Sequence, residues 1–134
     1  MPARLIALTD DARQALGGQE IALRRFPYRV GRECRNVPGY IASVERRMGM
    51  TEPNNDLYIA ERSDLHNVSR EHFAIERDGE GRYFLTDRRS VLGTIVEGHV
   101  LGGNRLGGVC ELHDHDVVIL GNPTSAFVFK FRMS

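Results

Sequence analysis

The sequence is almost without lysine. Lys130 is the only one, and the remaining basic residues are all Arg, in a chain whose 18 Lys and Arg balance 18 Asp and Glu. Zero net charge argues against nucleic acid or an anionic membrane surface as the main partner, since both favour a basic excess. Arg is the better fork for phosphate, but a GC-rich genome, whose codons favour Arg, accounts for the bias without any ligand. Cysteine is scarce too. Cys34 and Cys110 are too few for a disulfide scaffold and leave no C-x-x-C zinc spacing, so both read as free thiols of a cytoplasmic protein. No apolar run approaches the ~20 residues that cross a bilayer. Met1 to Asp10 lacks a charged stretch followed by a long apolar core, and so does not read as a signal peptide. Repeats and low-complexity tails are missing. The glycines at Gly102-Gly103 and Gly107-Gly108 are followed by no Gly-Lys-Ser/Thr, which excludes a P-loop.

What is present is a single domain, 1–134, large enough for a real core. Most of it reads as short strands. Arg4 to Leu8 is a brief apolar run. Asp10 to Leu16 has room for one helical turn before Gly17-Gly18 stops it. Glu20 to Arg25 alternates, with Ile21 and Leu23 on one face. Phe26 to Val30 continues as a strand, closed by Gly31-Arg32, which would put Arg32 on a loop tip. Leu57 to Ile59 and Phe73 to Arg77 are strands. Arg82 to Asp87 returns from a turn at Asp78 to Gly81 as a hairpin. Ser90 to Thr94 is a tight loop before Thr94 to Glu97, and Gly98-His99 reads as a turn before Val100-Leu101. Cys110 to Leu112, Val117 to Leu120 and Ala126 to Arg132 complete the set, the last with Phe127, Phe129 and Phe131 on one face. About ten strands at spacings of roughly 8–12 residues indicate an all-β sandwich or barrel.

One segment departs from this pattern. Residues 33–53 carry Pro38-Gly39 and then Ile41, Val44 and Met48 at i, i+3 and i+7. That is one apolar stripe of a short helical insertion near 38–50, suited to packing on a sheet edge as a lid or to docking a partner.

The chemistry gathers in Asn54 to Glu76, where Ser69-Arg70-Glu71-His72 stands at the mouth of a strand. A hydroxyl and a guanidinium fork so close together can hold an oxyanion. The same residues also make an ordinary polar turn, with Ser as a cap and His packed beneath. His113-Asp114-His115-Asp116 has the residue types of a zinc or iron site, or equally of a turn before Val117. No nucleophile elbow is present.

Five motifs follow one another on this β-rich chain: Gly31-Arg32 after a strand, Asn55-Asp56 before one, Ser-x-x-His at Ser69 to His72, Asp-x-x-Ser-x-x-Gly-Thr at Asp87 to Thr94, and Asp-x-Val-x-Leu-Gly at Asp116 to Gly121. In that order they resemble a forkhead-associated (FHA) domain, over about Glu20 to Arg132. The resemblance implies a β-sandwich of about eleven short strands, with loops at one end that bind a phosphothreonine peptide. It implies that Arg32 and Ser69 hold the phosphate with Arg70 adding a contact, and that Leu92, Gly93 and Thr94 lie along the peptide. Gly31 would set a backbone turn and His72 would brace the loop. No cofactor, metal or catalytic residue is implied. The partner would be a phosphothreonine-containing protein, such as a Ser/Thr kinase or its substrate, in signalling.

One position breaks the pattern. The family usually has Asn before the Gly of that loop, where its amide grips the peptide backbone; here it is Leu92, which can neither donate nor accept. Three functions follow. The first is a phosphothreonine reader whose binding is weakened or altered, helped by Arg88 or Arg89. The second is a phosphate-independent scaffold subunit, for example in a bacterial secretion or signalling complex. The third is a metal hydrolase using His113 and His115.

Overall fold

The computed structural model describes residues 3–32, 55–61 and 67–133. The expected helical insertion at 33–53 and Cys34 lie outside them. The described elements are β1 (Arg4–Ala7), α1 (Asp10–Leu16), β2 (Glu20–Ala22), β3 (Tyr28–Arg32), β4 (Leu57–Ile59), β5 (Phe73–Arg77), β6 (Tyr83–Asp87), β7 (Thr94–Val96), β8 (His99–Leu101), β9 (Gly108–Leu112), β10 (Val117–Leu120) and β11 (Val128–Arg132). One sheet has the order β2-β1-β11-β10-β7-β8 and the other β4-β3-β5-β6-β9.

Alternation decides which face of each strand is covered. In β11, Phe129 and Phe131 point inward and are fully buried, while Val128 and Lys130 are partly exposed. In β6, Tyr83, Leu85 and Asp87 are buried, and the register Ile75↔Leu85↔Cys110 carries the inward row across β5, β6 and β9. The inner faces of both sheets share one core, in which Val30, Phe73, Ile75 and Leu85 of one sheet meet Leu5, Val118, Leu120 and Phe129 of the other. The Tyr83 and Phe131 rings meet edge-on across it at 5.3 Å. Burying each such Phe stabilises the sandwich by roughly 1.5–3 kcal/mol.

Several elements differ from the sequence reading. The helix α1 makes about two turns, because Thr9 caps it by accepting from the Ala12 amide (3.2 Å) and Gly17 ends it at φ 72°. The turn before β8 is Glu97-Gly98, and His99 already belongs to the strand. The strand expected at Phe26 starts at Tyr28, after Pro27, which has no N–H to give to a ladder. That strand runs on through Gly31 and Arg32, so Arg32 is not on a loop tip. The reason is β4, which lies parallel to β3 with Val30↔Leu57, Gly31↔Tyr58 and Arg32↔Ile59. Among the described residues no helix is long and apolar enough to cross a membrane.

Candidate functional site

Arg32 ends β3, the first residues of the 69–72 loop lie beside it, and the 88–93 loop lies beside the 69–72 loop. Backbone geometry fixes this. The Arg32 amide donates to the Ser69 carbonyl (2.8 Å), and the Val91 amide donates to the Ser69 hydroxyl oxygen (2.9 Å). Ser69 therefore joins three segments at one end of the sandwich. Its hydroxyl has accepted one hydrogen bond and keeps its own proton to donate, together with a second lone pair.

His72 holds the loop from beneath. It is 0% exposed. Its Nδ1 accepts from the Ser69 amide (2.9 Å), and its Nε2 lies 2.8 Å from the Gly93 carbonyl oxygen, which can only accept. The ring is thus the neutral Nε2–H tautomer. Burial pushes its pKa below the ordinary 6.5, against the raising effect of the Gly93 carbonyl.

Gly31 contributes closeness rather than a turn. It lies inside β3, and a Cβ on it would sit 2.0 Å from the Arg70 carbonyl oxygen and 2.6 Å from Asn55 Nδ2. That same Arg70 carbonyl accepts from Asn55 Nδ2 (2.8 Å), while Asn55 Oδ1 accepts from Arg88 Nη1 (2.6 Å). The Arg88 amide donates to the His72 carbonyl (2.8 Å), and its guanidinium lies 3.5 Å from Glu71. Half-burial pushes the Arg88 pKa down and the Glu71 carboxylate opposes that. The side chain of Arg70 is left exposed.

Under the 88–93 loop lies Asp87, buried and fully engaged. Its oxygens accept from the Ser90 amide (2.9 Å), the Ser90 hydroxyl (2.5 Å) and the Thr94 hydroxyl (2.8 Å). The Ser90 hydroxyl oxygen in turn accepts from the Gly93 amide (3.0 Å), and the Gly93 carbonyl accepts from Gly121 (2.9 Å) as well as from His72. Gly93, at φ 90°, and Thr94 therefore belong to the layer below the surface; only Leu92 of that trio is exposed, at 39%. Asn55, Asp87 and Ser90 were visible in the sequence only as motif letters, and their convergence gives them their part here. Arg88 lies in the same frame and Arg89 is exposed beside it.

The His113 to Asp116 stretch is a tight turn in which Asp116 accepts from the His113 amide (2.8 Å) and His115 takes φ 74°. Among the described residues no three His, Cys, Asp or Glu side chains converge as metal ligands would. Cys110 is a free, partly buried thiol whose pKa burial raises.

No curated protein matches the chain. In solved structures, yeast Pml1p shares 22% identity, covering 97% of this chain and 80% of its own, at TM-score 0.64. The N-terminal FHA domain of S. cerevisiae Rad53p, solved in complex with a phosphothreonine peptide, shares 17% identity over 100% of this chain and 94% of its own, at TM-score 0.56. Mycobacterium tuberculosis EmbR, solved with a low-affinity phosphopeptide, shares 22% identity over 98% of this chain, which spans only 24% of EmbR, at TM-score 0.58. These likenesses show a common fold. The family model for the FHA domain matches residues 28–121, from β3 to the glycine after β10, and the chain belongs to that family.

Proposed function

We propose that the chain is a phosphothreonine-dependent protein–protein interaction module of signalling, with Arg32 and Ser69 holding the phosphate and Arg70 beside them. The observation that carries this is the posture of Ser69, whose hydroxyl is held by the Val91 amide with its proton still to give, one hydrogen bond away from the end of β3. A phosphothreonine brings about −1.5 to −2 charge and three strong acceptors; an Arg fork and a hydroxyl answer them. The partner is a protein carrying phosphothreonine, a Ser/Thr kinase or its substrate, and the module needs no cofactor and performs no catalysis. Leu92 stands where the family usually has Asn and can neither donate nor accept, so in this reading the grip on the peptide backbone is weaker. Leu92 also favours a second reading, a phosphate-independent scaffold subunit in a bacterial secretion or signalling complex.

Calorimetry with a phosphothreonine peptide and its unphosphorylated twin separates the two. For the reader, the phosphopeptide alone binds, weakly. Arg32→Ala abolishes binding, Ser69→Ala weakens it by about one to two orders of magnitude, the worth of a hydrogen bond to a charged group, and Leu92→Asn strengthens it. For the scaffold, both peptides behave alike and none of the three changes matters.

A further inference from the structure

The outer faces of the two sheets are unlike. In the five-stranded sheet, registered neighbours on the outer side are Arg29, Ala74, Thr86 and Val109 in one row and Glu76, Phe84 and Glu111 in the next, the mixed polar surface of a solvated sheet. The six-stranded sheet carries an aliphatic row instead. Val128, Ile119, Ile95 and Val100 are registered across β11, β10, β7 and β8, and Leu8, whose amide donates to the Val128 carbonyl (2.9 Å), continues the row. All five point away from the core, because the strand neighbours Ala7, Phe129, Val118 and Val96 are buried in it. Leu8 is 41% and Val100 65% exposed, and Ile119 and Val128 are partly exposed. The row crosses five adjacent strands, roughly 20 Å at the usual strand spacing. The next row on this face is Ile6, Lys130 and Val117, with Glu97 beyond Val117, its amide donating to the Val117 carbonyl (3.0 Å). Lys130, the only lysine, thus stands between two aliphatic side chains. Lys130 and Glu97 are two strands apart, and neither has an ion pair among the described residues.

We propose that this face binds a second copy of the chain, sheet against sheet, about a two-fold axis that runs along β10. Such an interface is self-complementary, each contact occurring twice. The axis sets Ile119 against its own copy, Ile95 against Val128 and Val100 against Leu8. It also sets Lys130 of each copy opposite Glu97 of the other, and so gives both charges the counter-ion that each lacks in one molecule. Two sheets meeting through aliphatic side chains repeat, outside the sandwich, the packing that forms its core. No residue of this face belongs to the 69–72 or 88–93 loop, so the dimer stands or falls independently of the phosphate reading.

Sedimentation velocity of the purified chain, from about 5 to about 500 μM, tests this and shows a monomer–dimer equilibrium within that range. Ile119→Arg, which places two cations together on the axis, and Val100→Arg, at a site too exposed for its replacement to disturb folding, each weaken the dimer by about tenfold or more. Circular dichroism checks that both variants fold. Lys130→Glu sets two carboxylates face to face and weakens the dimer by about tenfold, and Glu97→Lys, which sets two cations face to face, does the same. The double variant Lys130→Glu, Glu97→Lys recovers most of the lost affinity. A chain that stays monomeric throughout gives the face to a different partner and overturns the proposal, as does a dimer indifferent to Val100→Arg. A dimer that Val100→Arg breaks but that the double variant fails to restore overturns the axis along β10, and the proposal with it.

Discussion

A buried imidazole with both ring nitrogens engaged has one acceptable protonation state. His72 accepts at Nδ1 and donates at Nε2, so a proton added at Nδ1 would set two donors against each other under the Ser69 to His72 loop. Its folded pKa lies below the 6.5 of the unfolded chain. The unfolded chain therefore takes up a proton first as pH falls, and the linkage has a definite sign. The His72 contribution is fully present above pH about 6.5 and drains away below it, until the pH reaches the folded pKa, with a slope of up to about 1.4 kcal/mol per pH unit. Urea unfolding followed from pH 7.5 to pH 5 should show this loss. His72→Gln, which keeps an acceptor and a donor but does not titrate, should have a lower midpoint at pH 7.5 and a flatter profile below 6.5. An unchanged slope in the variant would assign the acid sensitivity to other groups.

At the scale of elements, β3 carries the site by letting a loop cross it at contact distance. With a Cβ 2.0 Å from the Arg70 carbonyl oxygen and 2.6 Å from Asn55 Nδ2, Gly31→Ala must push away a backbone carbonyl and a buried, hydrogen-bonded amide. It should cost about 1–3 kcal/mol in stability and displace Ser69 from Arg32, lowering phosphopeptide affinity. Gly79→Ala, where a Cβ would meet nothing within 4 Å, is the control; equal effects of the two changes would remove the close approach as the reason for Gly31. This element also marks the limit of what the sequence could tell. Strands with clean alternation, such as the Phe127, Phe129 and Phe131 run, were legible because period-2 burial is local. The Ser69 to His72 site was legible as a motif. The reading of Gly31 as a turn residue failed because its neighbours are remote in the chain. β4 pairs with β3 from beyond residue 54, and the crossing carbonyl comes from residue 70. The Thr94 hydroxyl is turned down to Asp87, a partner whose burial no local pattern announces.

For the whole molecule, the sum of charges hides their arrangement. The chain is formally neutral, yet the loops around Ser69 present Arg70, Arg89 and Arg105 to solvent, with Glu71 an exposed carboxylate beside Arg70. A neutral protein with exposed arginines on a few neighbouring loops attracts an anionic peptide at short range without a long-range hold on every polyanion. Phosphopeptide binding should therefore depend steeply on salt. At 0.1 M ionic strength the screening length is about 10 Å, and at 1 M about 3 Å, so exposed arginines a few residues from the phosphate lose their pull first. Titrating a phosphothreonine peptide from 50 mM to 500 mM sodium chloride should lower affinity by about an order of magnitude. The doubly neutralised variant Arg89→Gln, Arg105→Gln should bind more weakly at low salt and nearly match the unaltered protein at high salt, because the half-buried hydroxyl of Ser69 is insensitive to screening. A salt-independent affinity would mean that the exposed arginines have no part in holding the complex.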